Sequence, residues 1–219
     1  MIQCLHLRKS YAGVGPIFQD ASLEIEKGQC TVLAGQVGCG KTTLLRLISG
    51  FESPDRGQVL FQGKGLYRVP PKTRSAVRRR IGIVPQEPRL ISWQTVFENI
   101  ALPLYISGKD DSYIRERVRW LLGLLDLQSR GDTVCTRLSA GEKQLVSVAR
   151  ALVGDPLLLL ADEPMAFLCR TASQKVLDAV KYFHARGTTI LITTHDSSFG
   201  ARIPGCRSMA IRGGKIVDT

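Results

Sequence analysis

The sequence contains no apolar run long enough to cross a bilayer. Its longest candidates, 157–161 and 100–106, fall far short of the roughly 20 residues that a spanning helix needs, and Pro103 interrupts the second. The N-terminal residues Met1 to Cys4 also lack the basic and then apolar pattern of a secretion signal. We therefore expect a protein that stays in the cytoplasm unless a partner holds it at a membrane.

Cysteine motifs, internal repeats and low-complexity linkers are missing as well. None of the six cysteines forms a Cys-x-x-Cys pair or another metal-ligand spacing, so in a cytosolic chain we expect six reduced thiols. The chain has 219 residues, of which 44% are hydrophobic, and this suits one packed domain. We predict a single domain over residues 1–219.

Acidic residues are scarce relative to basic ones, with 19 Asp and Glu against 30 Lys and Arg and a formal net charge of +11. Such a balance favours anionic partners such as nucleotides, nucleic acids or acidic lipid headgroups, although a solvated basic surface would explain it equally well. The densest cluster is Arg78-Arg79-Arg80, with Lys72 and Arg74 nearby. Because no aromatic residues are interleaved with it, the cluster is a weak indication of nucleic-acid binding.

Hydrophobic periodicity predicts an α/β protein. Helices are predicted at 41–49, 111–125 and 171–185, most clearly at 111–125, where apolar residues recur at helical spacing, and a further helix is expected at 140–153. Short apolar or alternating runs predict strands at 2–7, 21–25, 30–34, 58–62, 81–84, 157–161 and 189–193. Strands that alternate with helices imply parallel pairing. The stretch from about 95 to 145 is predicted to be a helical subdomain inserted in the α/β core.

A complete phosphate-binding motif follows the strand predicted at 30–34. Eight residues fit the pattern G-x-x-x-x-G-K-[ST]: Gly35, Gln36, Val37, Gly38, Cys39, Gly40, Lys41 and Thr42. Glycines let successive backbone N–H groups point at phosphate oxygens, and the following helix adds the positive end of its dipole. We predict that Lys41 supplies a cation for the outer phosphates and that Thr42 ligates Mg²⁺, with Thr43 beside them in the nucleotide site.

Two carboxylates complete the motif pair. The apolar strand predicted at 157–161 runs into Asp162 and Glu163, which places both at the carboxyl edge of the sheet, beside the phosphate loop. Asp162 is predicted to hold Mg²⁺, directly or through water, and Glu163 to polarise an attacking water. These motifs alone indicate a P-loop ATPase or GTPase.

The remaining motifs resemble those of the ABC ATPases. The run Leu-Ser-Ala-Gly-Glu at 138–142 resembles the ABC signature and lies shortly before the strand with the carboxylates, as it does in that family. Gln86 resembles the Q-loop glutamine, which contacts Mg²⁺, and His195 resembles the switch histidine. Tyr11 resembles the aromatic residue that stacks on adenine. The resemblance covers nearly the whole chain.

The resemblance implies a P-loop NTPase fold with ABC-ATPase architecture: a parallel-sheet core, an N-terminal antiparallel β subdomain and an inserted helical subdomain. It also implies a head-to-tail homodimer that binds ATP and Mg²⁺ between its copies. The catalytic residues would be Glu163, His195 and Lys41. The nucleotide bound by one copy would be covered by the signature of the other, through Ser139, Gly141 and Glu142.

A narrower resemblance points to a function. The segments 79–84, 89–91 and 95–104 are similar to the FtsE family of bacterial cell-division ATPases. This similarity implies a peripheral protein at the cytoplasmic face of the inner membrane, where it drives a permease-like partner that controls wall hydrolases. Segment 87–96 would form part of the groove for that partner, with Leu90 and Trp93 as candidate apolar contacts. Ordinary packing within the helical subdomain is the alternative for these two side chains. Close relatives, the lipoprotein-release and macrolide-export ATPases, remain alternatives.

A soluble ABC ATPase acting on nucleic acid or ribosomes is a further alternative. The basic charge favours it, but the chain lacks the long insertion or second cassette that such proteins carry, and we expect no nucleic-acid partner. The chain also departs from the family pattern: Cys169 stands in place of the D-loop aspartate, after Met165-Ala166-Phe167-Leu168. Leu145 and Ala140 replace an Arg and a Gly. We therefore predict retained hydrolysis with altered coupling between sites or an altered rate.

Overall fold

The structure is a computed structural model, and it describes residues 1–166 and 168–219. The strands in these residues are β1 Ile2–Tyr11, β2 Gly15–Ile25, β3 Cys30–Ala34, β4 Arg56–Phe61, β5 Lys64–Gly65, β6 Ile81–Val84, β7 Leu158–Asp162, β8 Thr189–Thr194, β9 Arg207–Arg212 and β10 Lys215–Asp218. The α-helices are α1 Lys41–Ser49, α2 Pro71–Arg78, α3 Val96–Ile106, α4 Asp111–Leu124, α5 Ala140–Leu152 and α6 Arg170–Ala185.

The predicted α/β core is confirmed as a six-stranded sheet in the order β10-β9-β3-β8-β7-β6. Strands β9, β3, β8, β7 and β6 are parallel, and β10 adds an antiparallel edge. In the central register Ala34 pairs with Thr194, and Asp162 pairs with Thr193. The carboxyl ends of β3, β7 and β8 therefore lie side by side, and the segments that follow them leave from one edge.

Helix α1 has the bounds that the sequence predicts, because glycines mark both of its ends. Gly40 precedes it with a φ of 107°, and Gly50 ends it with a φ of 74°. Both are left-handed conformations that favour glycine. A Cβ on Gly40 would also lie 2.5 Å from Ile17 Cγ2, so a larger residue would push the phosphate loop away from strand β2. Leu44, Leu47 and Ile48 on α1 are fully buried.

The predicted N-terminal β subdomain is confirmed as an antiparallel sheet in the order β2-β1-β4-β5. Strands β1 and β2 are longer than predicted. The register between them shifts at several points. One irregularity in β1 lies at His6, whose φ is 50°. Gly57 on β4 faces it so closely that a Cβ would lie 2.5 Å from the His6 carbonyl oxygen.

Two apolar clusters pack on opposite sides of the six-stranded sheet. One joins α1 to the antiparallel sheet and includes Phe18, Leu47 and Leu160. The other joins the sheet to helices α3 to α6 and includes Ile100, Val118 and Phe183. Helix α1 is therefore packed into the first of these clusters. Gly40, at the end of the phosphate loop, lies next to Ile17 and Phe18 of β2.

Helices α3, α4 and the start of α5 occupy residues 95–145, between β6 and β7. The sequence prediction included α4 and α5 but not α3. Helix α3 begins with a reciprocal capping box, in which Thr95 Oγ1 accepts from the Glu98 N–H and the Glu98 carboxylate accepts from the Thr95 N–H. Among the described residues, none of the helices has the length and apolarity that crossing a bilayer requires.

Candidate functional site

The phosphate loop lies between β3 and α1 and faces solvent. Gln36, Val37 and Gly38 are exposed, and Val37 is 96% exposed, so the loop does not rest on the core. Cys39 is half-buried, and a Cβ on Gly35 would lie 2.6 Å from its Sγ. These residues follow directly from β3, and the N-terminal end of α1 follows them. An exposed concave backbone that opens a helix suits an anion.

Lys41 is buried inside this loop. Its Nζ donates to the carbonyl oxygens of Gly35, at 2.7 Å, and Gln36, at 3.1 Å. Glu163 Oε1 lies 3.7 Å from the same Nζ. The ammonium group is thus held between the loop and the carboxylate at the end of β7. An anion bound in the loop would therefore lie next to this ammonium group.

Thr42, Asp162 and Thr193 form a chain of hydrogen bonds at the sheet edge. The Thr42 hydroxyl donates to Asp162 Oδ2 at 2.5 Å, and the Thr193 hydroxyl donates to Asp162 Oδ1 at 2.6 Å. Asp162 is 5% exposed, so its orientation is fixed on both oxygens. Gln86, the third predicted metal ligand, lies with Thr42 and Asp162 along a groove of about 710 Å³.

These three residues fit a magnesium ion. Mg²⁺ prefers oxygen ligands, and it is usually held by one or two carboxylates together with substrate phosphates and water. Thr42, Gln86 and Asp162 offer a hydroxyl, an amide and a carboxylate oxygen. Within residues 1–166 and 168–219 no group of three or more His, Cys, Asp and Glu side chains could hold a metal.

Glu163 and His195 lie together at the same edge. Glu163 Oε2 is 3.0 Å from His195 Nδ1, and the Glu163 side chain is 11% exposed whereas that of His195 is 72% exposed. The Glu163 backbone has a φ of 46°, which is uncommon for a residue with a side chain. Its N–H donates to the Thr193 carbonyl oxygen at 2.9 Å, and this bond holds the turn. The result is a carboxylate aimed into the site and a histidine between it and solvent.

Tyr11 reaches the site from the N-terminal sheet. Its hydroxyl donates to Glu52 Oε2 at 2.8 Å and lies 3.4 Å from Thr43 Oγ1. The ring is therefore anchored near the first turn of α1. This position is compatible with the predicted contact to a base.

The signature residues form the exposed start of α5. The Ser139 hydroxyl accepts from the Glu142 N–H, and the Glu142 carboxylate accepts from the Ser139 N–H, so the two residues close a capping box. The Ser139 N–H and then its hydroxyl lower the pKa of Glu142 below its ordinary range. In the described part of the chain, Ser139, Gly141 and Glu142 make no hydrogen bond or ion pair to the phosphate loop.

The structure also identifies residues that form hydrogen bonds to the predicted site residues or to the turn that carries them, and that the sequence prediction omitted. Thr193 orients Asp162, and Glu52 anchors Tyr11. Gln144 is 1% exposed, and its Nε2 donates to the Pro164 carbonyl oxygen at 3.3 Å, which ties α5 to the turn that carries Glu163. Thr193 could be found only from strand register. For Gln144 the available signal was a polar residue at a position of the predicted helix that faces the core.

Cys169, the predicted departure from the family pattern, is exposed at the start of α6. Its thiol lies 3.1 Å from Thr171 Oγ1. The hydrogen bond with the Thr171 hydroxyl lowers the pKa of this thiol. Phe167, in the same divergent run, lies outside the described residues.

Comparisons with known proteins match most of the chain. The family model for ABC transporters matches residues 18–166. The cell-division ATP-binding protein FtsE of Escherichia coli K12 is 36% identical over 202 residues, which is 92% of this chain and 91% of that protein. The methionine import ATP-binding protein MetN of Legionella pneumophila Paris is 35% identical over 221 residues, which is 100% of this chain and 64% of MetN.

Solved structures agree with the fold. A dimeric ATP-binding cassette in a post-hydrolysis state, bound to ADP and Pi, superposes with a TM-score of 0.91 at 26% identity. The superposition covers 99% of this chain and 96% of that one. The described residues thus adopt the architecture of a complete cassette of this kind.

Proposed function

This chain belongs to the ABC transporter family and is an ATP hydrolase, and from that premise we propose that it powers a bacterial membrane complex as a head-to-tail homodimer. One observation carries the proposal. Lys41, Asp162, Glu163 and His195 converge at one sheet edge, while the start of α5 at Ser139 is exposed and takes no part in that constellation. A second copy is the natural source of the missing surface.

The phosphate-loop residues have the chemistry to hold ATP with Mg²⁺. Backbone N–H groups of 35–40 and the first turn of α1 would face the phosphates. Lys41 is already inside the loop and would pair with the outer phosphates. Thr42, Asp162 and Gln86 would ligate the metal, which when bound neutralises charge on the phosphates. Tyr11 would contact the adenine.

Glu163 and His195 have the chemistry for hydrolysis. The buried Glu163 carboxylate would orient a water for in-line attack and take its proton. His195 is held 3.0 Å from Glu163 and would position the same water network and the terminal phosphate. Both groups would then act on a reacting centre that Lys41 also faces.

The N-terminal end of α5 has the chemistry to cover the nucleotide of the other copy. Its free N–H groups carry positive potential, and Ser139 adds a hydroxyl at the first position. Gly141 and Glu142 would line the same surface. Closure would then require a nucleotide with three phosphates, and loss of the terminal phosphate would open the dimer. That opening is the mechanical step passed to the partner.

We place the complex in cell division, where it would drive a permease-like membrane partner that controls wall hydrolases. Support comes from FtsE, which this chain matches over nearly the full length of both proteins. The alternative is an import complex, since the match to MetN is similar in identity and spans this whole chain. Lipoprotein-release and efflux complexes remain related alternatives. In each case the protein would sit at the cytoplasmic face of the inner membrane.

The groove of about 710 Å³ is the proposed seat of that partner. Its lining includes Thr42, Gln86 and Asp162, together with Phe51 and Arg89. A segment of the membrane subunit bound there would therefore touch residues that we assign to the metal. Leu90 packs against the core, whereas Trp93 is 78% exposed and available to a partner.

The Glu163→Gln variant tests the split site. Glutamine keeps the shape but cannot take a proton, so phosphate release should fall by about 10²- to 10⁴-fold while Mg·ATP remains bound. The trapped protein should run as a dimer in size-exclusion chromatography with light scattering. Adding Ser139→Arg to this variant should return it to a monomer that still binds nucleotide. Glu116→Gln, at an exposed carboxylate on α4, is the matched control.

Two results would contradict the proposal. One is a Glu163→Gln protein that binds Mg·ATP but stays monomeric, both alone and with its membrane partner. The other is a dimer that Ser139→Arg leaves intact. Identifying the membrane protein that co-purifies would separate the cell-division complex from an import complex, because their membrane subunits differ.

A further inference from the structure

Positive charge is concentrated in one segment of the chain. Eight of the 30 Lys and Arg residues lie between Arg56 and Gln86, and none of the 19 Asp and Glu residues does. The rest of the chain is nearly balanced, with about 22 cations against 19 carboxylates. The net charge of +11 is therefore mostly a local property of this segment, and an evenly spread basic surface does not account for it.

Helix α2 carries the centre of this charge and presents it outward. None of the residues of α2 is buried, and Lys72 and Arg79 are exposed. These two residues are seven apart and lie on the same side of the helix. Arg74 and Arg78, four apart, lie along another side, over the rings of Tyr67 and Phe51. We call Phe51, Lys72, Arg74, Arg78 and Arg79 the basic face.

The cations of the basic face have no carboxylate partners among the residues that the structure describes. Other surface cations of this protein do have them, as in the pairs Arg117–Asp155 and Lys175–Asp126. Like charges held close together repel each other. The cluster is therefore suited to an external anionic surface that supplies the missing negative charge.

An exposed aromatic ring accompanies the cations. Phe51 is 65% exposed, and the Arg78 guanidinium carbon lies 5.5 Å from its ring centroid. Cations beside an exposed apolar ring are typical of protein surfaces that bind the headgroup region of a bilayer. Phe51 also lines the groove described above, so the basic face adjoins the proposed seat of the membrane partner.

We propose that the basic face binds anionic phospholipid headgroups in the bilayer that carries the membrane partner. The inference that the basic face turns toward the membrane rests on the proposed function, which assigns the adjoining groove to the membrane partner. The charge and exposure of the face, and its lack of carboxylate partners among the described residues, are observed independently of that function. Contact with lipid would orient the ATPase with its groove toward the membrane before the partner is engaged.

The test is co-sedimentation of the full chain with vesicles, without nucleotide or partner. We expect binding to vesicles of phosphatidylglycerol and phosphatidylcholine, and none to phosphatidylcholine alone. Each cation near an anionic surface contributes about 1 kcal/mol, which is roughly fivefold, so Lys72→Gln with Arg79→Gln should lower the partition coefficient about 25-fold. Arg115→Gln with Arg119→Gln is the control, because it removes two exposed cations from α4.

The control should lose no more than a few-fold in partition, and both double variants should retain basal ATP hydrolysis, which also shows that they fold. Equal losses in the two double variants would overturn the proposal, because net charge alone would then explain binding. Binding without dependence on phosphatidylglycerol would also overturn it. So would displacement of the protein from vesicles by single-stranded RNA at an equal phosphate concentration. The dimer test on Glu163→Gln does not involve lipid, so the two proposals fail independently.

Discussion

At the scale of single residues, Asp162 depends on Thr193 for its orientation. The Thr193 side chain is fully buried, and its hydroxyl supplies the 2.6 Å hydrogen bond to Asp162 Oδ1. Thr193→Val should remove this bond with little change in shape. Changes to groups that orient a metal ligand typically weaken metal affinity about 10- to 100-fold. We expect the Mg²⁺ concentration for half-maximal ATP hydrolysis to rise by that factor.

Thr193→Ser separates this role from packing, because serine restores the hydroxyl without the methyl group. It should recover a Mg²⁺ requirement close to that of the wild type. A Val variant that needs no more Mg²⁺ than the wild type would show that Thr42 alone fixes Asp162. Magnesium titrations of phosphate release measure each case.

Sequence and structure differ at this scale for a physical reason. The convergence of Lys41, Thr42, Asp162 and Glu163 at one sheet edge could be predicted, because each belongs to a short motif that directly follows a predicted strand. Thr193 could not, because it reaches Asp162 only through the pairing of β7 with β8, which the local sequence does not encode. Gln144 likewise reaches Pro164 from a different element.

At the scale of elements, those with a clear local signal in the sequence were predicted, and those without one were missed. Strand β3 and helix α1 were predicted with their observed bounds, because an apolar run and two glycines mark them. Helix α2 buries none of its residues, so it has no apolar side to give a periodic signal. Strands β9 and β10 lie at the edge of the sheet, and their pairing depends on β3.

The capping boxes of α3 and α5 predict a pH dependence of stability. Hydrogen bonds from the Thr95 and Ser139 N–H groups lower the pKa values of Glu98 and Glu142 below their ordinary 4.5. A depressed carboxylate pKa stabilises the fold at pH values above the ordinary value, and this contribution is lost as the pH falls through the lowered one. The urea midpoint should therefore begin to fall as the pH drops to about 4.5 and should continue to fall below that pH.

Glu98→Gln with Glu142→Gln should flatten this dependence, since glutamine keeps a capping amide oxygen but does not titrate. The wild type should lose its excess stability over the variant as the pH falls. Equal slopes for the two proteins would mean that other carboxylates determine the acid response. Glu116→Gln controls for the loss of an exposed carboxylate.

Cys169 at the start of α6 predicts a separate effect on element stability and site coupling. Its backbone is extended, with a φ of −68° and a ψ of 165°, as expected of an N-cap, but its side chain makes no capping hydrogen bond to the helix. Cys169→Asp should supply that bond and raise the urea midpoint. If the position couples the two sites as the family resemblance implies, it should also change the Hill coefficient for ATP. Cys169→Ala is the control for loss of the thiol, and an unchanged Hill coefficient in the Asp variant would remove the coupling argument.

At the scale of the whole molecule, the proposed active site belongs to two chains. Lys41 and Glu163 come from the sheet edge, and Ser139 comes from the exposed start of α5, which makes no hydrogen bond or ion pair to the phosphate loop among the described residues. A symmetric head-to-tail pair would bring the α5 surface of each copy onto the loop of the other. Each dimer would then contain two identical composite sites, and each chain would contribute a different half to each of them.

This arrangement predicts that two inactive variants restore each other. Lys41→Ala abolishes the loop half and leaves the α5 half intact, whereas Ser139→Arg does the reverse. A mixed dimer has one site in which both halves are intact. The mixed dimer carries one Ser139→Arg instead of two. If pairing is complete and random, about half of the dimers are mixed and each has one intact site of two, so an equimolar mixture should recover up to roughly a quarter of wild-type phosphate release.

The recovery must also depend on total protein concentration, because mixed dimers form by association, while each variant alone stays inactive at every concentration. Lys41→Ala mixed with the double variant Lys41→Ala, Ser139→Arg is the matched control, since no pairing of those chains contains an intact loop. A mixture of the two single variants that remains as inactive as this control would mean that each chain completes its own site. The exposed start of α5 would then serve a purpose other than covering the nucleotide of its neighbour.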